Sequence, residues 1–412
     1  MRPFTPLRNN LASLVKTDLV PESLPRYAGS VQHFYRNKVL DGHVHQKATP
    51  ITLRQLIFYE RHRNTKRILA SANYVRTELP IRLSHRIREF QNLPFIVGTN
   101  PFIQDVYDLY WKSFERLRTV PPITTLAENE DFCGVLRGTL EDHRVVIPRL
   151  ALGISECLDH ISSQRLDAFM NSTLKARISR RVLAEQHLVM SHVGTEIPIS
   201  IFSSCSAHAT LETCKALVME HYPEQSKVPQ VIVGEGEKDS KDTEFTYVSE
   251  QIQYILYQLL SNAVRHTIKH HSNAAGSYPP IKVTVCSNST DVFFRISDRG
   301  GGILPEVYKS LWSYGVRNQI FGNFKHIPQH TGSVAEHSHD VPLGIGLPMS
   351  RAYAEYWGGE INVVTMDGWG TDAYVRIPKL GTQIENIDVE PTDEHAVLDS
   401  AHEGPTPCRL AV

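Results

Sequence analysis

The chain has 412 residues, enough for two domains, and its 41% apolar and 21% charged side chains form an ordinary globular balance able to bury sizeable cores. With 43 basic and 44 acidic residues the net charge is −1, which lacks the basic excess of a nucleic-acid binder. No apolar run reaches the roughly 20 residues of a spanning helix, and six scattered cysteines without a C-x-x-C pair support neither a zinc knuckle nor a disulfide framework.

The N-terminal extension, 1–49, begins with Arg2, Arg8 and Lys16 before any acid. That pattern is compatible with an organelle-targeting presequence. Pro3 and Pro6 interrupt an amphipathic helix there, and a plain disordered N-terminus fits as well.

Residues 50–192 read as helices. "TPITLRQLIFYERH" starts after Pro50 with Thr52 as cap and an apolar stripe at Leu53, Leu56 and Ile57. "NTKRILASANYVRTELPIRLSHRIREFQNLP" keeps a helical period, and its Pro80 is expected to kink or break it. "LRGTLEDHRVVIPRLALGISECLDH" and "LDAFMNSTLKARISRRVLAEQHLVM" are two more amphipathic stretches. Long helices joined by short loops predict a helical bundle.

The character changes near Val193. "PISIF", "PQVIVG", "IKVTVC" and "DVFFRIS" are β-rich runs separated by helical stretches, and "GEGEKDSKDTE" (234–244) is a charged loop. The alternation predicts an α/β layer domain over 193–381. From 382 to 412 seven acids, Glu385 to Glu403, face Arg409 alone, which reads as an acidic, mobile tail.

Four stretches of the second domain carry chemistry. In "QIQYILYQLLSNAVRHT" (251–267) the apolar set Ile252, Ile255, Leu256, Leu259, Leu260, Ala263 and Val264 follows helical spacing. Gln258, Asn262 and Arg265 fall within about 60° on the wheel, a polar stripe beside the buried face. An amide oxygen can ligate a hard cation, and arginine can meet phosphate; a solvated helix flank would look the same. "RISDRGGGI" ends a strand with Asp298, which can accept from an exocyclic amine. Gly300, Gly301 and Gly302 follow and let backbone approach a ligand. In "PLGIGLPMSRAYAEYWGGEI", Gly344, Ile345, Gly346 and Leu347 open a helical run ended by Gly358-Gly359, a ready anion site. "DGWGTDAYVRIP" is a turn and strand in which Thr371 offers a hydroxyl.

In this order the four stretches resemble the nucleotide boxes of the ATPase fold shared by histidine kinases, the 90-kDa heat-shock chaperone, DNA gyrase and mismatch-repair ATPases. "SDRGGGI", "GLPMSRAYAEYWGG" and "GWGTDAYVRI" look like the mitochondrial kinases of pyruvate dehydrogenase and branched-chain α-ketoacid dehydrogenase. "TLRQLI", "ANYVRTELPIRLSHRI", "LPFIVGTNP", "EDHRVVIPRLALGI" and "ARISRRVLAEQH" resemble the same family, so the likeness covers about 50 to 380.

The resemblance implies an N-terminal four-helix bundle followed by a histidine-kinase-like, ATP-binding α/β sandwich. It implies transfer of the γ-phosphate of Mg-ATP to a serine of the E1α subunit in the mitochondrial matrix. It also implies docking on the lipoyl domain of E2, and a homo- or heterodimer. Carried over by motif, Asn262 would hold Mg²⁺ and Asp298 would accept from adenine. Gly300, Gly302, Gly344 and Gly346 would give backbone access, and Thr371 would line the adenine pocket. His143 matches a family histidine near the phosphoryl site, and His187 one taken as structural.

The chain departs from the family where the chemistry is sharpest. The family helix reads E-L-x-K-N; here it reads Gln258-Leu259-Leu260-Ser261-Asn262. Glutamine cannot take a proton at neutral pH. Pro342 replaces the first glycine of G-x-G-x-G, "GVRNQ" (315–319) stands in a hydroxyl-rich lid position, and the C-terminal Asp-Trp pair is absent. Two readings follow: a protein-serine kinase in which His143 or a water covers the missing base, or an ATP-binding pseudokinase that acts as scaffold for an active paralogue. A two-component histidine kinase would need a phosphoacceptor, for which His187 is the only candidate. "HIPQHTGSVAEHSHD" (326–340) reads as a solvated lid, although His337, His339 and Asp340 could bind a transition metal.

Overall fold

The computed structural model describes residues 31–192, 202–222, 228–235, 243–272, 277–315 and 345–387, with side chains for all of these but 31–36, 202–204 and 235. Gly344, Pro342, the histidine-rich stretch 326–340 and the tail beyond 387 lie outside the described residues.

The N-terminal part is helical: α1 (Val31–Val44), α2 (Leu53–Arg61), α3 (Thr65–Gln91), α4 (Phe95–Gly98), α5 (Pro101–Arg118), α6 (Leu126–Asp142), α7 (Val146–Cys157) and α8 (Ser163–Ser191). Thr52 caps α2 in a capping box with Gln55, and Thr125 does the same for α6 with Glu128. The long helices α3, α5, α6 and α8 pack as a four-helix bundle, with α1 on α3, α2 on α8 and α7 on α5. Its core joins Leu83 and Ile87 of α3, Tyr110 and Phe114 of α5, Phe132 and Leu136 of α6, and Leu174 and Ile178 of α8. Each such side chain contributes roughly 1.5–3 kcal/mol relative to exposure.

Two expectations change here. Pro80 does not end its helix; α3 runs through it for 27 residues. Burial of Leu79, Pro80, Leu83 and Ile87 against the bundle outweighs one lost backbone hydrogen bond. The stretch around "EDHRVV" is not one helix. It breaks at a 3₁₀ turn, His143–Val145, which aims His143 into the bundle.

The second part contains β1 (Phe202–Ser206), α9 (Ala207–Glu220), β2 (Val231–Glu235), β3 (Glu244–Val248), α10 (Ser249–His270), β4 (Ile281–Ser287), β5 (Asp291–Ser297), α11 (Pro305–Lys309), α12 (Gly346–Tyr356), β6 (Glu360–Met366) and β7 (Gly370–Pro378). β1 and β3 pair antiparallel, and the main sheet has the order β2-β4-β5-β7-β6, parallel between β2 and β4 and antiparallel elsewhere. Alternation along β5 buries Val292, Phe294 and Ile296 against the helices and exposes Phe293 and Arg295. Helices α10 and α12 cover the buried face. The apolar stripe read from α10 is buried as expected. The result is a mixed α/β sandwich behind a helical region.

The register pairs Ser297 with Asp372 and Thr365 with Thr371, which carries the end of β5 to the start of β7. After β7 the chain returns to the bundle as a strap, 379–387. Gly381 accepts from the Arg54 N–H, Ile384 bridges Thr52, and Glu385 is 3% exposed. Residues 382–387, expected inside a mobile tail, are therefore seated, because Glu385 meets a buried guanidinium rather than water.

Candidate functional site

One face of α10 organises the site. Gln258, Asn262 and His266 follow one another at four-residue spacing and therefore line the same side of the helix. Gln258 and Asn262 are half-buried, whereas Arg265 is exposed and donates from Nη2 to Asn262 Oδ1 at 2.6 Å.

Two glycine segments close on that face. At the first, the Asp298 N–H donates to the Thr371 carbonyl (2.9 Å), while Asp298 Oδ1 accepts from Gly300 N (2.8 Å) and Thr371 N (3.2 Å). Asp298 Oδ2 accepts no hydrogen bond among the described residues. Burial pushes this carboxyl up from the usual range, against the two backbone donors that hold it down. A Cβ on Gly300 would lie 3.0 Å from that of His266, so the segment touches α10 one turn beyond Asn262. Gly301 and Gly302 have φ of +83° and +80°, the left-handed region that glycine enters without steric cost.

At the second segment, a Cβ on Gly346 would lie 2.5 Å from Gln258 Oε1. Gly346 opens α12, and its N-cap, Ile345, makes no side-chain cap bond. Among the described residues no side chain caps the first N–H groups of the helix, so the positive end of its dipole can serve an anion. Ile345 is buried and Leu347 half-buried, so both anchor the turn.

Thus Gln258, Asn262, Asp298, Gly300, Gly346 and Thr371 converge, although segments more than a hundred residues apart supply them. Gly344 lies outside the described residues. The sequence reading missed His266 and His270, which face Gly300 and Gly301, and Arg299, whose guanidinium stacks 3.8 Å over Trp369 at the rim. The helical spacing from Asn262 was the available signal for both histidines.

His143 does not join them. It is 7% exposed, and its partners all come from the bundle. Arg180 Nη1 lies 3.1 Å from Nδ1 and can only donate, so Nδ1 must accept. In the neutral ring the proton then sits on Nε2, beside Ser113 Oγ at 2.8 Å and the Leu109 carbonyl at 3.4 Å. Burial first, and Arg180 second, hold this imidazole well below its ordinary range. Both nitrogens are engaged, which leaves none to take a substrate proton.

His187 is fully buried, with Nδ1 3.0 Å from Ser71 Oγ and Nε2 3.0 Å from Asn129 Oδ1. It joins α3, α6 and α8 and is shielded from any phosphoryl donor. No group of three or more His, Cys, Asp or Glu that could hold a metal occurs among the described residues. Asn262 Oδ1 is a hard oxygen of the kind that completes a phosphate-bound Mg²⁺, which needs few protein ligands.

A family model described as mitochondrial branched-chain alpha-ketoacid dehydrogenase kinase matches residues 50–234, and one described as histidine kinase-, DNA gyrase B- and HSP90-like ATPase matches 248–381. Among similar proteins, mitochondrial [pyruvate dehydrogenase (acetyl-transferring)] kinase 2 of Saccharomyces cerevisiae is 28% identical, over 87% of this chain and 88% of its own length. The corresponding mitochondrial kinase of Arabidopsis thaliana is 28% identical over 83% of this chain and 93% of its own length. Isozyme 4 of Homo sapiens is 28% identical over 87% and 86%.

Proposed function

The chain belongs to the mitochondrial pyruvate dehydrogenase kinase and branched-chain α-ketoacid dehydrogenase kinase family, and from that premise we propose that it is an ATP-dependent protein-serine kinase of the mitochondrial matrix. Its substrate is the E1α subunit of an α-ketoacid dehydrogenase complex, pyruvate or branched-chain, which phosphorylation inactivates. Docking on the E2 lipoyl domain and dimerisation belong to the same proposal.

One observation carries the ATP reading. Asp298, with Oδ2 left over, and the uncapped α12 terminus at Gly346 border the same face of α10. Asp298 Oδ2 accepts the adenine amine and Thr371 lines the ring. The N–H groups of Gly346 and Leu347 would hold phosphate oxygens, and Asn262 Oδ1 would hold Mg²⁺ in place of Arg265. Bound Mg²⁺ supplies neutralisation of the phosphate charge. Arg265, released from Asn262, is long enough to follow the phosphates. Phosphoryl transfer depends mostly on such positioning and charge.

Gln258 is the weak point of the chemistry. Its amide oxygen can accept from the incoming serine hydroxyl and orient it, but it keeps no proton. The proton then leaves to solvent or to the phosphate itself, without the roughly 10²–10⁴-fold help of a base. A second reading, an ATP-binding scaffold for an active paralogue, is favoured by this residue and by the two engaged nitrogens of His143. Incorporation of labelled phosphate into E1α by native protein and by Gln258→Glu separates the two. Measurable native transfer supports the kinase; none, with a large gain in the variant, supports the scaffold.

A further inference from the structure

A polar cluster with every guanidinium donor satisfied lies away from the nucleotide face. All five N–H groups of Arg82, on α3, are used. Nε donates to Glu78 Oε1 (2.9 Å); Nη1 to Ser179 and to Glu385 Oε2 (3.0 Å); Nη2 to the Thr49 carbonyl (2.8 Å) and Glu385 Oε1 (2.7 Å). Glu385 also accepts from the Ile51 N–H (3.0 Å) and from the Tyr356 hydroxyl. Arg82, Glu78 and Glu385 are each at most 4% exposed, and Tyr356 is fully buried. Burial opposes the guanidinium charge, but Glu385, Tyr356 and Glu78 together outweigh it and raise the Arg82 pKa.

The cluster joins segments from both halves. Glu78 and Arg82 belong to α3, Ser179 to α8, Glu385 to the strap, and Tyr356 to the last turn of α12. The strap grips Tyr356 twice, since the Asn386 N–H also donates to its carbonyl at 2.8 Å. Tyr356 lies 10 residues along from Gly346, about 15 Å up the same rigid helix. A displacement at the uncapped terminus therefore reaches Tyr356 without another joint. A buried, hydrogen-bonded ion pair has two outcomes, made or broken, since a half-made pair leaves a buried charge uncompensated.

We propose that the strap is a coupling latch: through Glu385 it ties the motion of α12 to the seat of Arg82 in the helical bundle, so that events at the Gly346 end are felt in the bundle and the reverse. The nucleotide half of the test rests on the ATP-binding reading above; the nucleotide-free half does not.

The test is amide hydrogen exchange on the full chain, native and as Arg82→Lys and Glu385→Gln. Arg82→Lys keeps the charge but cannot make the two-pronged contact. Without nucleotide, both variants are expected to exchange about 10-fold faster or more at the backbone amides of α12, with α5 and α6 unchanged within about 2-fold. If α5 and α6 also loosen in the lysine variant, the bundle itself has failed and the glutamine variant decides. With Mg-ADP, the native chain should gain protection at 49–56 and in α3, and Glu385→Gln should lose more than half of that gain while calorimetric affinity changes less than about 3-fold. Unaltered α12 exchange in Glu385→Gln overturns the latch, as does a bundle response that survives in full in that variant. A native chain that fails to bind Mg-ADP overturns the nucleotide reading alone, and the nucleotide-free exchange then judges the latch.

Discussion

Gln258 Oε1 lies 2.5 Å from the point where a side chain on Gly346 would begin. The two residues belong to different helices, and the contact fixes where the α12 terminus stands over α10. Gly346→Ala should be tolerated by the fold, because the obstructing atom is the free end of a flexible amide. The methyl would nevertheless sit beside the open N–H groups. Mg-ADP affinity by calorimetry should fall about 10-fold or more, while the urea midpoint shows a loss below about 1 kcal/mol. Unchanged affinity would remove Gly346 from the phosphate site.

Asp298→Asn offers a sharper probe. Asparagine keeps an oxygen for the Gly300 and Thr371 N–H groups, so the β5–β7 junction should hold. What it loses is the second anionic oxygen. Affinity for Mg-ADP should drop by the roughly 1.5–3 kcal/mol of a charge-assisted hydrogen bond, with little change in the urea midpoint. Equal losses of stability and affinity would mean that Asp298 serves the fold rather than adenine.

Asn262→Ala tests the metal assignment separately. In native protein, ADP should bind more tightly with Mg²⁺ than with chelator, and the variant should lose most of that difference while keeping the metal-free affinity within about 3-fold. A full magnesium effect in the variant would place the ion elsewhere.

His187 predicts an acid-side loss of stability. Burial lowers its pKa from 6.5 to about 4. Below the ordinary value the unfolded chain takes up a proton that the folded chain refuses. Its contribution is thus complete above pH 6.5, declines as the pH falls towards 4, and levels off below, by about 3 kcal/mol in all. His143 acts in the same direction. Urea midpoints measured across this range should fall less steeply for His187→Gln than for the native chain. Parallel curves would contradict the burial argument.

The parts of this molecule readable in sequence are those that repeat a local period or end in glycine. The α10 stripe follows a 3.6-residue period, and β4, β5 and β7 each announce themselves as β-branched or aromatic runs. The contact between Asp298 and Thr371 was approachable because both sit where a strand meets a glycine-rich turn. Their register was not, since it is decided by pairing across the sheet.

Other features have no local signature. β3 hides beside a charged loop, and Pro80 reads as a breaker because propensity knows nothing of the neighbouring helices. His143 resembles a catalytic histidine by motif, yet Arg180, on another helix, takes its acceptor nitrogen. Glu385 stands in an acid-rich stretch that composition assigns to solvent. Its reason for burial, Arg82, lies 303 residues earlier.

That separation has a consequence for how the chain is made. A ribosome releases α3 long before it reaches residue 385, and until then two of the five guanidinium protons of Arg82 have no native acceptor. The first half can collapse early, but it acquires its final charge balance only when the strap arrives. Clipping the polypeptide just after β7 would leave that early half permanently unfinished.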